Sequence, residues 1–421
     1  MSTPGYPLVA AATFGLLVAC TVCNAATDGG PPPDEGRRDA ALDVDVAIAE
    51  ALRHNPELRL LEARVNTARR QAVVAGKYPF NPELGVEEGL ERRFGVGQVL
   101  EWPGKRTLRA AIANQDVAAA DAALVGFRVS LAAETAARFS ELLAARKIVE
   151  LRGREVEAAA RVFKIARRRV AQAFAPVTER STAAVGAVRA RRDLREAEKA
   201  TDQARAGLNA LLGREAAAPL NAEGELSAPR PAVPLERLAA LAVERHPDLQ
   251  VARHEVDKRR LAVSLARRER ISDVTVEPFY AIDTGSAGDQ KAGVGVKVPL
   301  PLWNTGTANV AAADAERREA EAALEKTRRD VLAELAKAHA AFVAASEELA
   351  LYAPELLAEL DTELAATERG YESGQLPFLV LLQARRSYFE HRKDYYDALA
   401  GAHVAQAALE KAAAVRLEDI K

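Results

Sequence analysis

Histidine, cysteine and methionine are the residues best suited to metal or nucleophile chemistry, and here their positions argue against it. The histidines are His54, His246, His254, His339, His391 and His403. A helical zinc motif needs two imidazoles at i, i+4, on one face. No pair has that spacing, and His246 and His254 stand eight residues apart. Both cysteines, Cys20 and Cys23, precede the body of the chain, which therefore has no thiol nucleophile, disulfide or cysteine metal site. Met1 is the only methionine, so no thioether relay for copper exists. Gly293-Val294-Gly295 lacks the third glycine of a dinucleotide loop and leads into a strand rather than a helix. No nucleophile elbow or phosphate loop occurs. These residues supply no catalytic, metal-binding or cofactor-binding site, and the expectation is a protein that is not an enzyme.

Cys20 has a different use. Leu8 to Ala19 is an apolar run of about a dozen residues, the length of a signal-peptide core and too short to span a bilayer as a helix. It ends in Leu17-Val18-Ala19-Cys20, which resembles a lipoprotein box whose cysteine becomes the acylated first residue. Ordinary cleavage after Ala25 is the alternative. No Lys or Arg precedes the run, yet either processing exports the chain. Residues 1–25 are thus a signal segment and 26–42 a flexible leader containing Pro31-Pro32-Pro33.

Composition narrows the class further. With 28% charged residues and a formal net charge of −2, the 421-residue chain is no polytopic helical membrane protein, nor has it a basic field for nucleic acid.

The chain repeats itself. His54-Asn55-Pro56-Glu57-Leu58 is echoed by His246-Pro247-Asp248-Leu249, and Gly95-Val96-Gly97 by Gly293-Val294-Gly295. Trp102 recurs as Trp303 and Pro176 as Pro377, both at an offset of 201 residues. Self-similarity of this kind marks a duplicated architecture. The first repeat spans 43–213 and the second 235–415, joined by a Pro-, Ala- and Gly-rich segment, 214–234, and followed by a tail, 416–421. Each repeat predicts a helix (44–76; 235–270), a hairpin (82–102; 273–303), a very long helix (105–171; 307–372), a short tip (172–177; 373–378) and a closing helix (177–212; 378–414). The long helices are rich in Ala, Arg, Glu and Leu, which favour helix. Leu381, Tyr388, Tyr395, Ala402 and Leu409 beat every seven residues, a coiled-coil seam. A helix over 105–171 runs on the order of 100 Å, a length that suits a tube or rod.

The hairpins alternate. Val274, Val276, Tyr280 and Ile282 share one face, and Thr275, Glu277 and Asp283 the other. Strands of about ten residues suit a tilted transmembrane β-strand. In the first hairpin Phe94, Val96, Leu100 and Trp102 alternate, with Glu88 and Gln98 interrupting. Trp102 and Trp303, placed at the ends of the second strands, fit an aromatic girdle at the lipid boundary; a duplicated pair of packing tryptophans is the alternative. Four strands cannot close a barrel, and lipid does not tolerate an open edge, so a spanning form must oligomerise. Three copies give about twelve strands, although the sequence alone does not fix that number.

The chain resembles the outer-membrane factors of tripartite efflux systems, the TolC-like family, from about Val44 to Ala414. The resemblance rests on the Asn-Pro-Glu-Leu and His-Pro-Asp-Leu pair, on Trp102-Pro103-Gly104-Lys105-Arg106, on Pro299-Leu300-Pro301-Leu302-Trp303-Asn304 with Gly306, on Leu208-Asn209-Ala210-Leu211-Leu212-Gly213, and on Gly370-Tyr371-Glu372-Ser373-Gly374 leading into Leu381-Leu382-Gln383-Ala384-Arg385. The Pro-Gly-Lys-Arg element is most similar to the heavy-metal efflux branch. The resemblance implies a mainly α fold with a small β part: a homotrimer with a twelve-stranded barrel in outer-membrane lipid and a long periplasmic α-helical barrel. It implies a periplasmic adaptor and an inner-membrane pump, commonly of the resistance–nodulation–division type, as partners. By the same resemblance the tips Ala173, Phe174, Pro176 and Tyr371, Gly374, Gln375, Leu376, Pro377 meet the adaptor, with Tyr371 latching the closed tip.

Two departures stand out. Ala173 occupies a position where the family usually has glycine. Val380 and Gln383 stand where some members carry an aspartate ring, so an acidic gate is absent or falls to Glu368, Glu372 or Glu179. The competing expectations are a periplasmic coiled-coil adaptor, which carries one main hairpin rather than two equivalent repeats, and an exported enzyme, for which no catalytic residue can be nominated.

Overall fold

The computed structural model describes residues 42–89, 91–224, 226–230, 233–283 and 290–417. All its described elements belong to one compact unit, Ala40–Lys421. The signal segment, Cys20 and most of the leader lie outside the described residues.

The chain opens with α1 (Val44–His54) and α2 (Pro56–Ala75), where one helix over 44–76 is expected. The interruption is chemical. Asn55 precedes a proline, which disfavours helical backbone, and it is extended at φ −60°, ψ 125°. Its side-chain oxygen accepts from the amides of Glu57 (2.9 Å) and Leu58 (3.1 Å), capping α2, and Pro56 fits the first helical turn, where its missing N–H is no loss. Two strands follow, β1 (Glu83–Glu87) and β2 (Glu91–Leu100). Then come α3 (Lys105–Ala171), 67 residues long, and α4 (Val177–Leu212).

The order recurs with α5 (Leu235–Arg245), α6 (Pro247–Glu269), β3 (Val274–Asp283), β4 (Gln290–Lys297), α7 (Thr307–Ala350), α8 (Pro354–Glu372) and α9 (Phe378–Ala413). The helix expected over 235–270 breaks at His246-Pro247 for the same reason as its counterpart. Here the ring Nδ1 accepts from the Asp248 amide at 3.2 Å. The helix expected over 307–372 also breaks, because Pro354 cannot donate to the preceding turn and α8 starts afresh on it. The second hairpin stops short of its expected end. β4 finishes at Lys297, and Pro299 and Pro301 prevent further pairing.

The four strands form one antiparallel sheet in the order β1-β2-β3-β4. β2 and β3 join the two hairpins, pairing Phe94 with Tyr280, Gln98 with Val276 and Leu100 with Val274. Among the helices, α3 packs on α2, α4, α6 and α9, α7 packs on α6 and α9, and α8 packs on α9. Leu58, Leu124, Phe139, Leu142, Leu208 and Leu212 form one core, and Leu238, Leu249, Leu335, Phe342 and Leu409 a second. Each such side chain contributes about 1.5–3 kcal/mol on burial.

The described residues of the segment joining the two halves form no helix or long strand. Leu42 bridges it, donating to Asn221 O at 2.8 Å and accepting from Glu223 N at 3.0 Å. Arg146 of α3 donates to the carbonyls of Leu220 and Ala222.

Candidate functional site: the paired tips and the two-faced sheet

Both tips are built by one hydrogen-bond pattern. At the end of α3, Ala173 N donates to Val170 O (3.1 Å) and Phe174 N to Arg169 O (2.8 Å). At the end of α8, Gly374 N donates to Tyr371 O (3.0 Å) and Gln375 N to Gly370 O (2.8 Å). Each is a Schellman cap, which requires a left-handed residue after the helix. Gly374 meets that at φ 78°, and Ala173 adopts it at φ 62° despite its Cβ. Pro176 and Pro377, extended, then start α4 and α9. Phe174 is 75% exposed and Gln375 and Pro377 are exposed, whereas Leu376 folds back over Gly370, donating to its carbonyl at 3.0 Å.

Tyr371 joins the tips. It is fully buried, packed with Val162 and Ala166 of α3, Ala183 of α4 and Leu381 of α9. Its hydroxyl donates to Glu179 in the first turn of α4. Arg169, in the last turn of α3, stacks its guanidinium 5.0 Å from the ring and donates to Tyr371 O at 3.0 Å. Burial first, and then the bond to Glu179, push the phenol well above its usual range, so it remains a donor at any physiological pH. Glu179, one of three carboxylates expected to serve a gate, is thus engaged by the tyrosine. Glu372 is exposed and Glu368 half-buried, and neither lies in a metal-capable cluster among the described residues. Val380 and Gln383 are exposed.

Above the tips, α3, α4 and α9 line a half-open cavity of about 400 Å³ that includes Arg152, Val162, Ala190, Arg385 and Phe389. Arg385 is buried, donates to Glu155 O at 3.2 Å, and is drawn below the usual arginine range by that burial. Neither Arg169 nor Arg385 was legible as a site residue. Their partners lie more than 200 positions away, beyond the reach of any local spacing.

The sheet separates its residues by chemistry. Leu84, Val86, Phe94, Val96, Leu100, Val294 and Val296 are exposed apolar residues, and the register aligns Leu84 with Val96, Val86 with Phe94 and Val276 with Val296 on one face. Glu83, Glu87, Arg93, Glu277 and Lys297 align on the other, where Lys297 reaches Glu277 at 2.6 Å and Arg93 lies 3.7 Å from the Phe279 ring centroid. Gln98, which interrupts the apolar face, turns its amide to the carbonyls of Phe80 (3.4 Å) and Val99 (3.0 Å). Glu88 falls beyond β1 and pairs with Arg92 at 3.1 Å.

The tryptophans differ from expectation. Trp102 lies just past β2, its amide donating to Asp273 Oδ1 at 2.8 Å. Trp303 is not at a strand end; it stands in the proline-interrupted loop after β4 and is 93% exposed. The Pro-Gly-Lys-Arg element forms a joint between the halves. Buried Lys105 donates to Asp273 Oδ1 and Ile271 O, both at 2.7 Å, and Arg268 donates to Pro103 O at 2.8 Å. Gly104 is left-handed at φ 94°, a conformation that L side chains rarely adopt, and a Cβ there would displace the Arg268 guanidinium.

Among the described residues no helix is long and apolar enough to cross a membrane, which leaves the sheet unaddressed. Residues 238–415 match the family model described as outer membrane efflux protein. The chain is 28% identical over 389 residues to the cobalt-zinc-cadmium resistance protein CzcC of Cupriavidus metallidurans, covering 89% of this chain and 91% of that one. Its fold is similar to that of VceC from Vibrio cholerae (TM-score 0.71, 19% identity, 88% and 95% of the two chains). It is likewise similar to the open-state MtrE channel of Neisseria gonorrhoeae (TM-score 0.72, 19% identity, 89% of each). The chain is thus similar to outer membrane efflux proteins, in sequence over residues 238–415 and in fold over nearly nine-tenths of its length.

Proposed function

We propose that the chain is the passive export duct of a tripartite pump, working as a homotrimer with a periplasmic adaptor and an inner-membrane pump of the resistance–nodulation–division type. The observation that carries this reading is the two-faced sheet with two unpaired edges, β1 and β4. An apolar face suits lipid and a charged face suits a water-filled lumen. Unpaired edges must be closed by further copies, since lipid cannot satisfy their amides and carbonyls. The recurring element order supports a duplicated repeat, so three chains supply twelve strands and a ring of helices.

The cargo we infer is heavy-metal cations, because the CzcC relative is a cobalt-zinc-cadmium resistance protein. The chain conducts them rather than selecting them, and the pump supplies the energy. The tips receive the adaptor through Phe174, Gln375, Leu376 and neighbouring residues, and Tyr371 with Glu179 and Arg169 holds the closed form. Cys20 anchors the amino terminus by acylation; Cys20→Ser removes lipid labelling, and labelling that persists refutes the assignment. The reading as a whole is tested in planar bilayers. Purified protein should give discrete steps of cation conductance, and a protein that stays in solution without detergent and conducts nothing would sink it.

A further inference from the structure

A buried arginine without a counter-charge lines the half-open cavity above the tips. α4 and α9 both pack on α3, and all three helices contribute to the cavity wall. Four arginines and three carboxylates line it. The carboxylates are already engaged: Glu155 holds Arg152 at 2.6 Å, Glu390 holds Arg386 at 3.0 Å, and Asp193 holds Arg192, outside the cavity, at 2.8 Å. Arg189 of α4 and Arg385 of α9 are left over, and among the described residues neither forms an ion pair.

Arg385 is the unusual one. It is only 7% exposed, and its hydrogen bond goes to a main-chain carbonyl, that of Glu155, at 3.2 Å. A guanidinium carries five donors, and a charge withdrawn from water is normally paired. Its guanidinium carbon lies 5.9 Å from the centroid of the Phe389 ring, a cation–π contact that holds the head in the wall. Arg189 is exposed at the rim.

The rest of the wall is mostly apolar: Ala159 and Val162 of α3, Ala183 and Ala190 of α4, and Leu382 of α9. Gly186 completes the α4 side, where an added Cβ would meet nothing within 4 Å. At about 400 Å³ the cavity falls near the lower end of the range for small-molecule pockets, roughly 300–1,000 Å³. An inorganic anion would match the charge and leave the apolar wall uncovered. A neutral apolar molecule would do the reverse. A ligand that satisfies both carries an acid group on a small hydrophobic body.

We propose that this cavity is a binding site for a small organic carboxylate, received by Arg385 with Arg189 at the rim, its apolar body lying on α3 between α4 and α9. Arginine suits the role because its planar fork meets a carboxylate with two parallel hydrogen bonds. The bound molecule touches both helices that start at the tips. The site lies within one chain and uses neither Tyr371 nor its partners, so it is independent of the duct reading.

The test is fluorine NMR of para-fluorobenzoate added to the purified full chain in detergent. Para-fluorobenzyl alcohol is the uncharged counterpart, and protein-free micelles give the background. The site predicts saturable broadening of the benzoate signal, with the alcohol bound about tenfold or more weakly, as loss of a charge-assisted bond implies. Arg385→Met keeps the bulk of the side chain and should weaken benzoate by about tenfold or more. Arg189→Gln should weaken it less, because an exposed charge is screened. Gly186→Leu guards against a merely structural effect of losing the buried arginine. It fills the cavity from a helical position where leucine is favoured over glycine, so binding should vanish while the unfolding temperature holds or rises. Benzoate that fails to saturate, that binds no better than the alcohol, or that binds Arg385→Met and Gly186→Leu as it binds the unaltered chain overturns the site.

Discussion

The two tips share one backbone and differ in the residue that makes it. Ala173 and Gly374 both adopt the left-handed conformation under the same pair of cap hydrogen bonds. The ends of the closing helices repeat the comparison in reverse. Gly213 (φ 70°) caps α4, while Ala414 (φ 53°) caps α9 with equivalent bonds from Ala414 N to Lys411 O and Val415 N to Glu410 O. Each half thus carries one glycine and one alanine at its two left-handed C-terminal caps. A Cβ in that conformation costs about 1–2 kcal/mol, so hydrogen bonding and packing, rather than glycine itself, hold the turn. The space around each cap then decides what a substitution does.

The largest effect should come at Gly213. A Cβ there would stand 2.5 Å from the carbonyl oxygen of His54, on backbone that cannot yield. Gly213→Ala should cost about 2–5 kcal/mol, joining left-handed strain to overpacking. At Gly374 an added Cβ would meet nothing within 4 Å, so Gly374→Ala should cost only the conformational part, about 1–2 kcal/mol. Thermal unfolding of the two purified variants checks the ranking, and equal losses would break the comparison.

Tyr371→Phe keeps the buried ring and removes the donor to Glu179. A hydrogen bond to a charged group is worth about 1.5–3 kcal/mol, and the variant should favour the open tip. The readout is raised conductance, or entry of large antibiotics that the closed form excludes. Since the phenol is raised, its contribution is complete below about pH 10 and lost only above it, so the latch should not vary between neutral and mildly acidic pH.

The helix caps at the Pro56 and Pro247 breaks differ in the opposite way. Asn55 caps α2 with an amide that does not titrate, while His246 caps α6 with a ring nitrogen that accepts only when neutral. Burial, opposed by Asp248, lowers the imidazole from its ordinary range. A depressed group contributes stability above its unfolded value of about 6.5 and loses it as pH falls through the folded value. Acidification should therefore loosen the start of α6 and not that of α2, as amide exchange of Asp248 and Leu249 against Glu57 and Leu58 would register. His246→Asn should remove the dependence at a cost below about 1 kcal/mol. The smallest effect is a gain. Ala173→Gly should relieve strain at the first tip and stabilise by about 0.5–1 kcal/mol, the strain relief offset by glycine's own entropy.

The sequence made the long elements legible because they depend on patterns that accumulate. α3 follows from 67 residues of helix formers, and the hairpins from strict alternation. The Asn55-Pro56, His246-Pro247 and Ala353-Pro354 breaks were missed because the apolar periodicity continues across each one, and proline in a first turn leaves that pattern unchanged. Trp303 was misplaced because Pro299 and Pro301 end the strand while the apolar alternation runs on. At the tips, the turn residues were legible from local chemistry. The grip of Arg169 on Tyr371 was not, since it joins residues that only the packing of α3 against the second half brings together.

The central claim is that this chain is one third of a closed duct. It is tested most directly by extracting the protein from the outer-membrane fraction and measuring the native mass of the purified particle. The account predicts three chains per particle, and a single chain stable in that state, with β1 and β4 left open, would contradict it.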